Sequence, residues 1–471
     1  MKPSGGNNMF KRFALIIFAA VLLLAAHALA EEVPAATEEP ILWAYTELED
    51  GTLQLDKLLS AVPEKLEVPD RIDGKNVTVI GTEILLDDQT VKEIVLPEGI
   101  TEIGAYAFKH SVMEKITLPK TLVAIREGAF YGCEELKTVY LPENLVTLEN
   151  YAFYCAGIDR TTLPKGVEKI GDWAFAGCVN MTSLTMQEGL VEIGVDAFTS
   201  SGVKLAQFPK SLRKIGDNAY YNCEVLQNVT FNQGLESIGA YAFSYSAIKG
   251  VRLYDGFTNL GEGAFSCCYQ LTNATLPESG VTVIPVDCFS ESDLQKITIP
   301  HSVTVIGDGA FNGCKYMTGV RMSNQVTEIG KDAFRETQLS QITLPETLKT
   351  IGQRAFYSCK KLSTVVLPEG LETIGKQAFA DGNLHNLTVP STVVKIASKA
   401  FQVAYSSGQY NVTMKCVECE LGSDLFGDDA VYAAEDGGDH NVKVILSCYE
   451  GSTADETYLN EKAVRKKYMT E

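Results

Sequence analysis

Positive charge and histidine are both scarce in this sequence. It carries 40 Lys+Arg against 60 Asp+Glu, a formal net charge of −20, and only five histidines in 471 residues. The acidic balance excludes nucleic acid as a partner and disfavours a bare anionic membrane surface, because a polyanion is held by released counterions and cationic side chains. His110, His301 and His385 are scattered, with no acidic or thiol partner at a matching spacing. No G-x-S-x-G elbow, phosphate-cradling loop or H-E-x-x-H occurs, so no hydrolytic constellation is legible and no enzyme activity or cofactor is expected.

Long apolar runs are missing too, except at the N-terminus. Lys11 and Arg12 precede an apolar run from Phe13 to Ala26, and Ala28-Leu29-Ala30 closes it. That pattern is a secretory leader over residues 1–30, cleaved before Glu31. The run is shorter than the ~20 residues of a spanning helix, so no membrane span is expected after cleavage, and the expected location is secreted or cell surface. Met9 is an alternative start that keeps the basic segment. Losing Lys2, Lys11 and Arg12 with the leader would take the net charge from −20 to −23. Residues 31–42 read as a linker.

What the sequence has in abundance is repetition. Aromatic anchors, most of them in an Ala-Phe pair, recur at Phe108, Phe130, Phe153, Phe175, Phe198, Tyr220, Phe243, Phe265, Phe289, Phe311, Phe334, Phe356, Phe379 and Phe401. Successive steps alternate between 22 and 23 residues, except the 24 from Phe265 to Phe289, and Leu85 serves as a degenerate first anchor. Such a register over more than 300 residues marks a solenoid. Each unit opens with an apolar triplet such as Leu136-x-x-Val139-x-Leu141, often followed by proline, as in Leu344-Pro345. This predicts one short strand per coil with alternate side chains turned inward. The second half reads Ile-Gly-x-x-Ala-Phe, as at Ile215-Gly216 and Ile374-Gly375. There the glycine suits a turn that a side chain would obstruct, and the aromatic ring fills the interior against its copies. One unit cannot bury enough apolar surface to offset its own ordering, so the coils must stack. The expected architecture is a right-handed leucine-rich-repeat coil of short parallel strands and turns, about fifteen coils long, mostly β and irregular, with a short C-terminal helix.

The unit Cys133-x-x-Leu136-x-x-Val139-x-Leu141-Pro142-x-x-Leu145-x-x-Leu148 with its Ala-Phe anchor resembles the BspA-like leucine-rich repeat family of bacterial surface and secreted proteins. The resemblance covers about residues 43–465. It identifies the stretch from Asp50-Gly51 to Ile80-Gly81 with the family's N-terminal cap, and Glu450–Glu456 with a short charged helix as its C-terminal cap. The expected organisation is an N-terminal cap and degenerate first repeat over 43–90, a solenoid over 91–410, and a C-terminal cap with an acidic loop and short helix over 411–471. The resemblance implies adhesion to a host or bacterial surface protein, and carries no site residues of its own.

Cysteines fall into two groups. Counted back eight residues from the last strand position, Cys133, Cys155, Cys178, Cys223, Cys268, Cys314 and Cys359 form a column, read as small buried hydrophobes. Most are two coils, ~10 Å, apart, beyond disulfide reach. Cys133, Cys155 and Cys178 occupy consecutive coils and leave room for one bridge. In the tail, Cys416-x-x-Cys419, His440 and Cys448 have the donor set of a zinc site. The alternative is a disulfide from Cys448 to Cys416 or Cys419. The nearby acidic run, including Asp424, Asp428, Asp429, Glu435, Asp436 and Asp439, lacks the alternation of a calcium loop.

A partner would meet the outward strand positions, which are free of packing duty. The penultimate strand position is a threonine ladder (Thr117, Thr162, Thr185, Thr230, Thr275, Thr298, Thr343, Thr388) interrupted by Tyr140, Gln207, Arg252, Arg321 and Val366. Threonine also favours strands with no ligand at all, so Tyr140, Arg252 and Arg321 among the interruptions are the candidate contacts for a protein ligand. Tyrosines gather just after the anchors, at Tyr131, Tyr154, Tyr221, Tyr245, Tyr269, Tyr316 and Tyr357. They either pack along the coil edge or, with Tyr221 and Tyr245 as candidates, stack on sugar faces.

Overall fold

The structure is a computed structural model that describes residues 42–402, 410–427, 444–458 and 464–469. The expected leader, most of the linker, most of the acidic run and His440 lie outside the described residues. The chain winds into a β-solenoid of about 17 turns. Each regular coil contains two strands where the sequence predicts one. The first is the predicted three-residue strand, such as Gly250–Arg252, hydrogen-bonded in parallel to Asn273–Thr275 of the next coil. The second is a dipeptide ending in the isoleucine of the Ile-Gly motif, such as Ser237–Ile238, parallel to Lys214–Ile215 and Asn259–Leu260. Two residues are too few to show a strand period, so only the repeated Ile marks it. The coil around Val139 keeps only an isolated bridge at Thr138 in place of its first strand.

The sheet of dipeptide strands runs unbroken to Asn259–Leu260 and restarts at Val283–Ile284. The break coincides with the 24-residue step. In regular coils the amide after the dipeptide strand donates to the previous coil, as Gly261 N, after Leu260, does to the Ile238 carbonyl at 2.8 Å. Pro285 occupies that position in the irregular coil and has no N–H to offer.

A third ladder runs through the turn that carries the anchor. Tyr151, Phe153 and Cys155 donate their amides to the carbonyls of Asp172, Ala174 and Ala176 of the following coil, at 2.8–2.9 Å. Tyr151 and Cys155 have φ of 57° and 52°. Left-handed backbone is unfavourable for residues with a Cβ, and the inter-coil hydrogen bonds hold it there at two positions per coil.

Inside, the aromatic rings form one column. From Phe130 to Phe379 successive centroids lie 4.8–5.7 Å apart, with planes within 12° of parallel. The glycine after the isoleucine serves close approach: a Cβ on Gly239 would lie 2.5 Å from Asp217 N and 2.6 Å from the carbonyl carbon of Gly216.

The cysteine column needs one correction. Cys133, Cys178, Cys223, Cys268, Cys314 and Cys359 lie three residues after their anchors, and each thiol donates at 3.0–3.1 Å to the carbonyl of the anchor one coil earlier. Cys155 is not a member. Ala156 holds its slot, fully inside, while Cys155 is only half-buried on the turn. In the intervening coils the slot is Ser111, Ser201, Ser246, Ser292 or Thr337, whose hydroxyl meets the next thiol at 3.2–3.7 Å. The true repeat is therefore a two-coil unit. Its Cys coil carries one extra residue between slot and strand, which is why steps of 22 and 23 alternate. The slot cysteines are free thiols, and Cys133 and Cys178 are separated by the Ala156 coil, so that pair is not bridged.

At the N-terminus Trp43–Glu47 pairs antiparallel with Leu53–Leu58, which joins the parallel sheet through Lys75–Ile80. At the other end Tyr410–Met414, Val444–Cys448 and Val464–Tyr468 continue the first sheet, and Thr453–Thr457 is a short helix capped by Ser452. No helix among the described residues is long and apolar enough to cross a membrane.

Candidate binding surface

The three-residue strands alternate outward, inward, outward, as in the exposed–buried–exposed pattern of Lys296–Thr298. Their outward positions, from Lys115 to Thr413, therefore form a face with no packing function. It contains no Asp or Glu, although the chain has 60. Its cations are Lys115, Arg160, Arg252, Lys296 and Arg321. Lys115 pairs with Glu93 at 3.0 Å and Arg160 with Asp159 at 3.7 Å. Among the described residues Arg252, Lys296 and Arg321 enter no ion pair, and the Arg252 guanidinium lies 5.3 Å from the Tyr254 ring.

Arg252 and Arg321 share one sheet, joined by Asn273–Thr275 and Lys296–Thr298, which sets them three coils, ~14 Å, apart. Thr275, Glu278, Lys296, Thr298 and Arg321 are among the residues that line an open depression of about 670 Å³. Tyr140 is 83% exposed but stands five coils, ~24 Å, before Arg252. The structure thus brings Arg252 and Arg321 together and leaves Tyr140 apart.

Tyr221 and Tyr245 lie on the turn ladder, away from the strands, and meet edge to face with centroids 5.6 Å apart. Tyr245 is exposed and Tyr221 half-buried. Tyr131 and Tyr154 stack at 4.6 Å, so these two pack along the coil edge. They belong to a larger half-buried cluster that includes Tyr151 and Trp173, stacked at 6.2 Å. These last two sit two residues before their anchors, a register that aligning on the anchors exposes and searching for tyrosines after them does not. Tyr106, at the same register, lies on Gly128 of the next coil, where a Cβ would meet its ring at 2.3 Å. Its hydroxyl donates to Glu127, and that bond, followed by burial, pushes its pKa up to about 12. Tyr241, Glu262 and Gly263 repeat the arrangement.

In the tail, Cys416 and Cys419 are in contact, Sγ to Sγ 3.0 Å. Cys448 is fully buried.

Stacked coils, parallel ladders and an aromatic column define a leucine-rich-repeat solenoid. The chain belongs to the BspA type leucine-rich repeat family, whose repeat region matches residues 78–204, 191–318 and 282–407. A leucine-rich repeat protein from Bacteroides ovatus has the same fold: TM-score 0.67, 24% identity, covering 91% of this chain and 98% of that one. A leucine rich cell surface protein from Faecalibacterium prausnitzii is similar at TM-score 0.44 and 21% identity, over 70% of this chain and 95% of that one. The pneumococcal vaccine antigen PcpA is similar at 0.42 and 16%, over 92% and 98%. No curated protein matches the sequence.

Proposed function

We propose that the protein is an exported, non-enzymatic bacterial binding scaffold that holds a protein partner on the face of its three-residue strands. The partner belongs to a host or to another bacterial surface. The observation that carries this reading is the strand face from Lys115 onward, whose outward positions hold no Asp or Glu, with Arg252, Lys296 and Arg321 held on a rigid sheet and engaged in no ion pair. Outward positions on a solenoid are free to vary, and arginine is enriched where interfaces concentrate their binding energy. The leader over residues 1–30 supports export.

The test is capture of surface-exposed proteins by the full chain, followed by affinity measurement for Arg252→Ala, Lys296→Ala and Arg321→Ala. The combined variant weakens binding at least ~tenfold and reduces its salt dependence, whereas Lys376→Ala, off this face, changes neither. Equal loss from Lys376→Ala would reject the strand face.

A second reading, glycan binding, is favoured by the exposed Tyr245 and its edge-to-face contact with Tyr221. Aromatic faces stack on sugar rings. On a glycan array this reading requires sugar binding that Tyr221→Ala and Tyr245→Ala abolish.

A further inference from the structure

The link between the two strands of the last regular coil differs from its predecessors. In the three coils before it a proline-led turn joins them, closed by a backbone hydrogen bond: Leu348 N donates to the Pro345 carbonyl at 3.0 Å, Leu371 N to that of Pro368 at 3.0 Å and Val393 N to that of Pro390 at 3.4 Å. Between Tyr410–Met414 and Glu420–Leu421 the link is Lys415-Cys416-Val417-Glu418-Cys419. Here the closing contact is sulfur to sulfur, at 3.0 Å. Both thiols are buried, Cys416 at 1% and Cys419 at 4% exposure. The carbonyl of Val417, between them, accepts from the amide and hydroxyl of Thr453, the first residue of the C-terminal helix.

We propose that Cys416 and Cys419 form a disulfide in the exported protein, a covalent clasp that closes the last coil and seats the C-terminal helix. Two thiols in contact within one short loop need little movement to bond. The two sulfurs share one hydrogen bond, which holds Cys419 below the ordinary thiol pKa and, with burial, raises Cys416. Cys419 is therefore the attacking thiolate. It attacks one sulfur of an external disulfide, on an oxidoreductase or a small thiol compound, and expels the first thiol. Cys416 then loses its proton, attacks the Cys419 sulfur of the mixed disulfide and expels the second. Two electrons pass to the oxidant, which leaves as two thiols. The clasp depends on export to an oxidising compartment and not on the partner-binding reading, so loss of binding would leave it intact.

The sequence makes the test clean. Trypsin cuts after Lys415 and Lys443, releasing a peptide that holds Cys416 and Cys419 and no other cysteine, while Cys448 falls in the next peptide. The full chain, recovered after export, is treated with iodoacetamide in denaturant before any reductant. Ten of the twelve cysteines are expected to alkylate. The 416–443 peptide should be lighter than its reduced form by two hydrogens, and cleavage at Glu418 should leave its halves joined. Cys448→Ser should change none of this. Alkylation of all twelve thiols, a cross-link between this peptide and the one holding Cys448, or zinc bound until chelation frees both thiols would each overturn the proposal. The seating role has its own readout: in Cys416→Ser/Cys419→Ser the Thr453 amide should exchange ~tenfold faster or more, and unchanged exchange would remove that role.

Discussion

Tyr220 lies flat on Phe198, ring centroids 4.8 Å apart and planes 9° from parallel. It takes a phenylalanine's place in the aromatic column, with Phe243 stacked on its other side at 5.3 Å. Its hydroxyl is fully buried and meets no protein hydrogen-bonding group, and burial drives its pKa well above the usual value. A buried polar group without a partner is a net cost. Tyr220→Phe is therefore expected to stabilise the solenoid by about 1 kcal/mol. The check is hydrogen exchange of the Phe198 and Phe243 amides in both proteins, since coils report mainly on their neighbours. Slower exchange in the variant is the expected result, and faster exchange would show that the hydroxyl is satisfied.

Most of the fold was legible because it repeats. The spacing of Phe153 and Phe175 implied stacked rings, and the two lie 5.5 Å apart and 4° from parallel. What escaped were features shorter than the repeat or longer than it. The dipeptide strands, such as Ser237–Ile238, have no period of their own. The two-coil alternation was visible as steps of 22 and 23, but the pairing it accompanies, a thiol in one coil facing a hydroxyl in the neighbouring one, is a contact between residues 22 apart. Counting back from the strand misplaced Cys155 because the alternate coils are one residue shorter between slot and strand. On the surface, Arg252 and Arg321 stood out as interruptions of a threonine ladder, whereas Lys296 did not, since it occupies the other outward column. The contact of Cys416 with Cys419 was hidden because C-x-x-C spacing alone serves zinc or a disulfide equally well.

The glycine after the isoleucine and the glycine that opens a strand should respond oppositely to one added methyl. On Gly239 a Cβ would meet the backbone of the previous coil at 2.5–2.6 Å, where neither atom can retreat alone. Gly239→Ala should cost about 1–3 kcal/mol, the range for overpacking. On Gly250 the nearest atom would be the Asn273 carbonyl oxygen at 3.8 Å. Gly250→Ala should be neutral or stabilise by about 0.5–1 kcal/mol, because glycine in a strand carries an entropic cost. Urea titrations of both variants against the parent check the contrast, and similar losses would contradict the assignment of Gly239 to close approach.

Asp196 gives a pH-dependent test. It is 7% exposed, and burial, reinforced by Asp217 and Asp172, raises its carboxyl pKa against the opposing bonds from Thr199 and Asn218. A carboxyl whose folded pKa lies above its unfolded value favours the fold most below the unfolded pKa. That advantage is lost as pH rises through the raised folded value. Asp196→Asn keeps an oxygen for the Thr199 hydroxyl and removes the charge. The variant should melt higher than the parent at pH 7, with the gap closing as pH falls through the carboxylate range. A gap independent of pH would mean that the ionised carboxylate is not the destabilising element.

Thiol chemistry can read the stability of individual coils. Burial pushes the pKa of Cys133, Cys268 and Cys314 up to about 12 and that of Cys223 and Cys359 up to about 11, and each donates to a carbonyl of the preceding coil. The thiolate is the reactive form, so these sulfurs are protected by both access and protonation. Cys155 and Cys267 sit on the turn ladder and are only half-buried. With iodoacetamide at pH 8 in native buffer, Cys155 and Cys267 should alkylate first and the slot cysteines at least ~100-fold more slowly, at rates set by local opening. If opening is confined to neighbouring coils, Phe153→Leu should accelerate Cys133 and Cys178, whose coils flank it, and leave Cys359 unchanged. Uniform acceleration of all the slot cysteines would instead mean that the solenoid opens as a single cooperative unit.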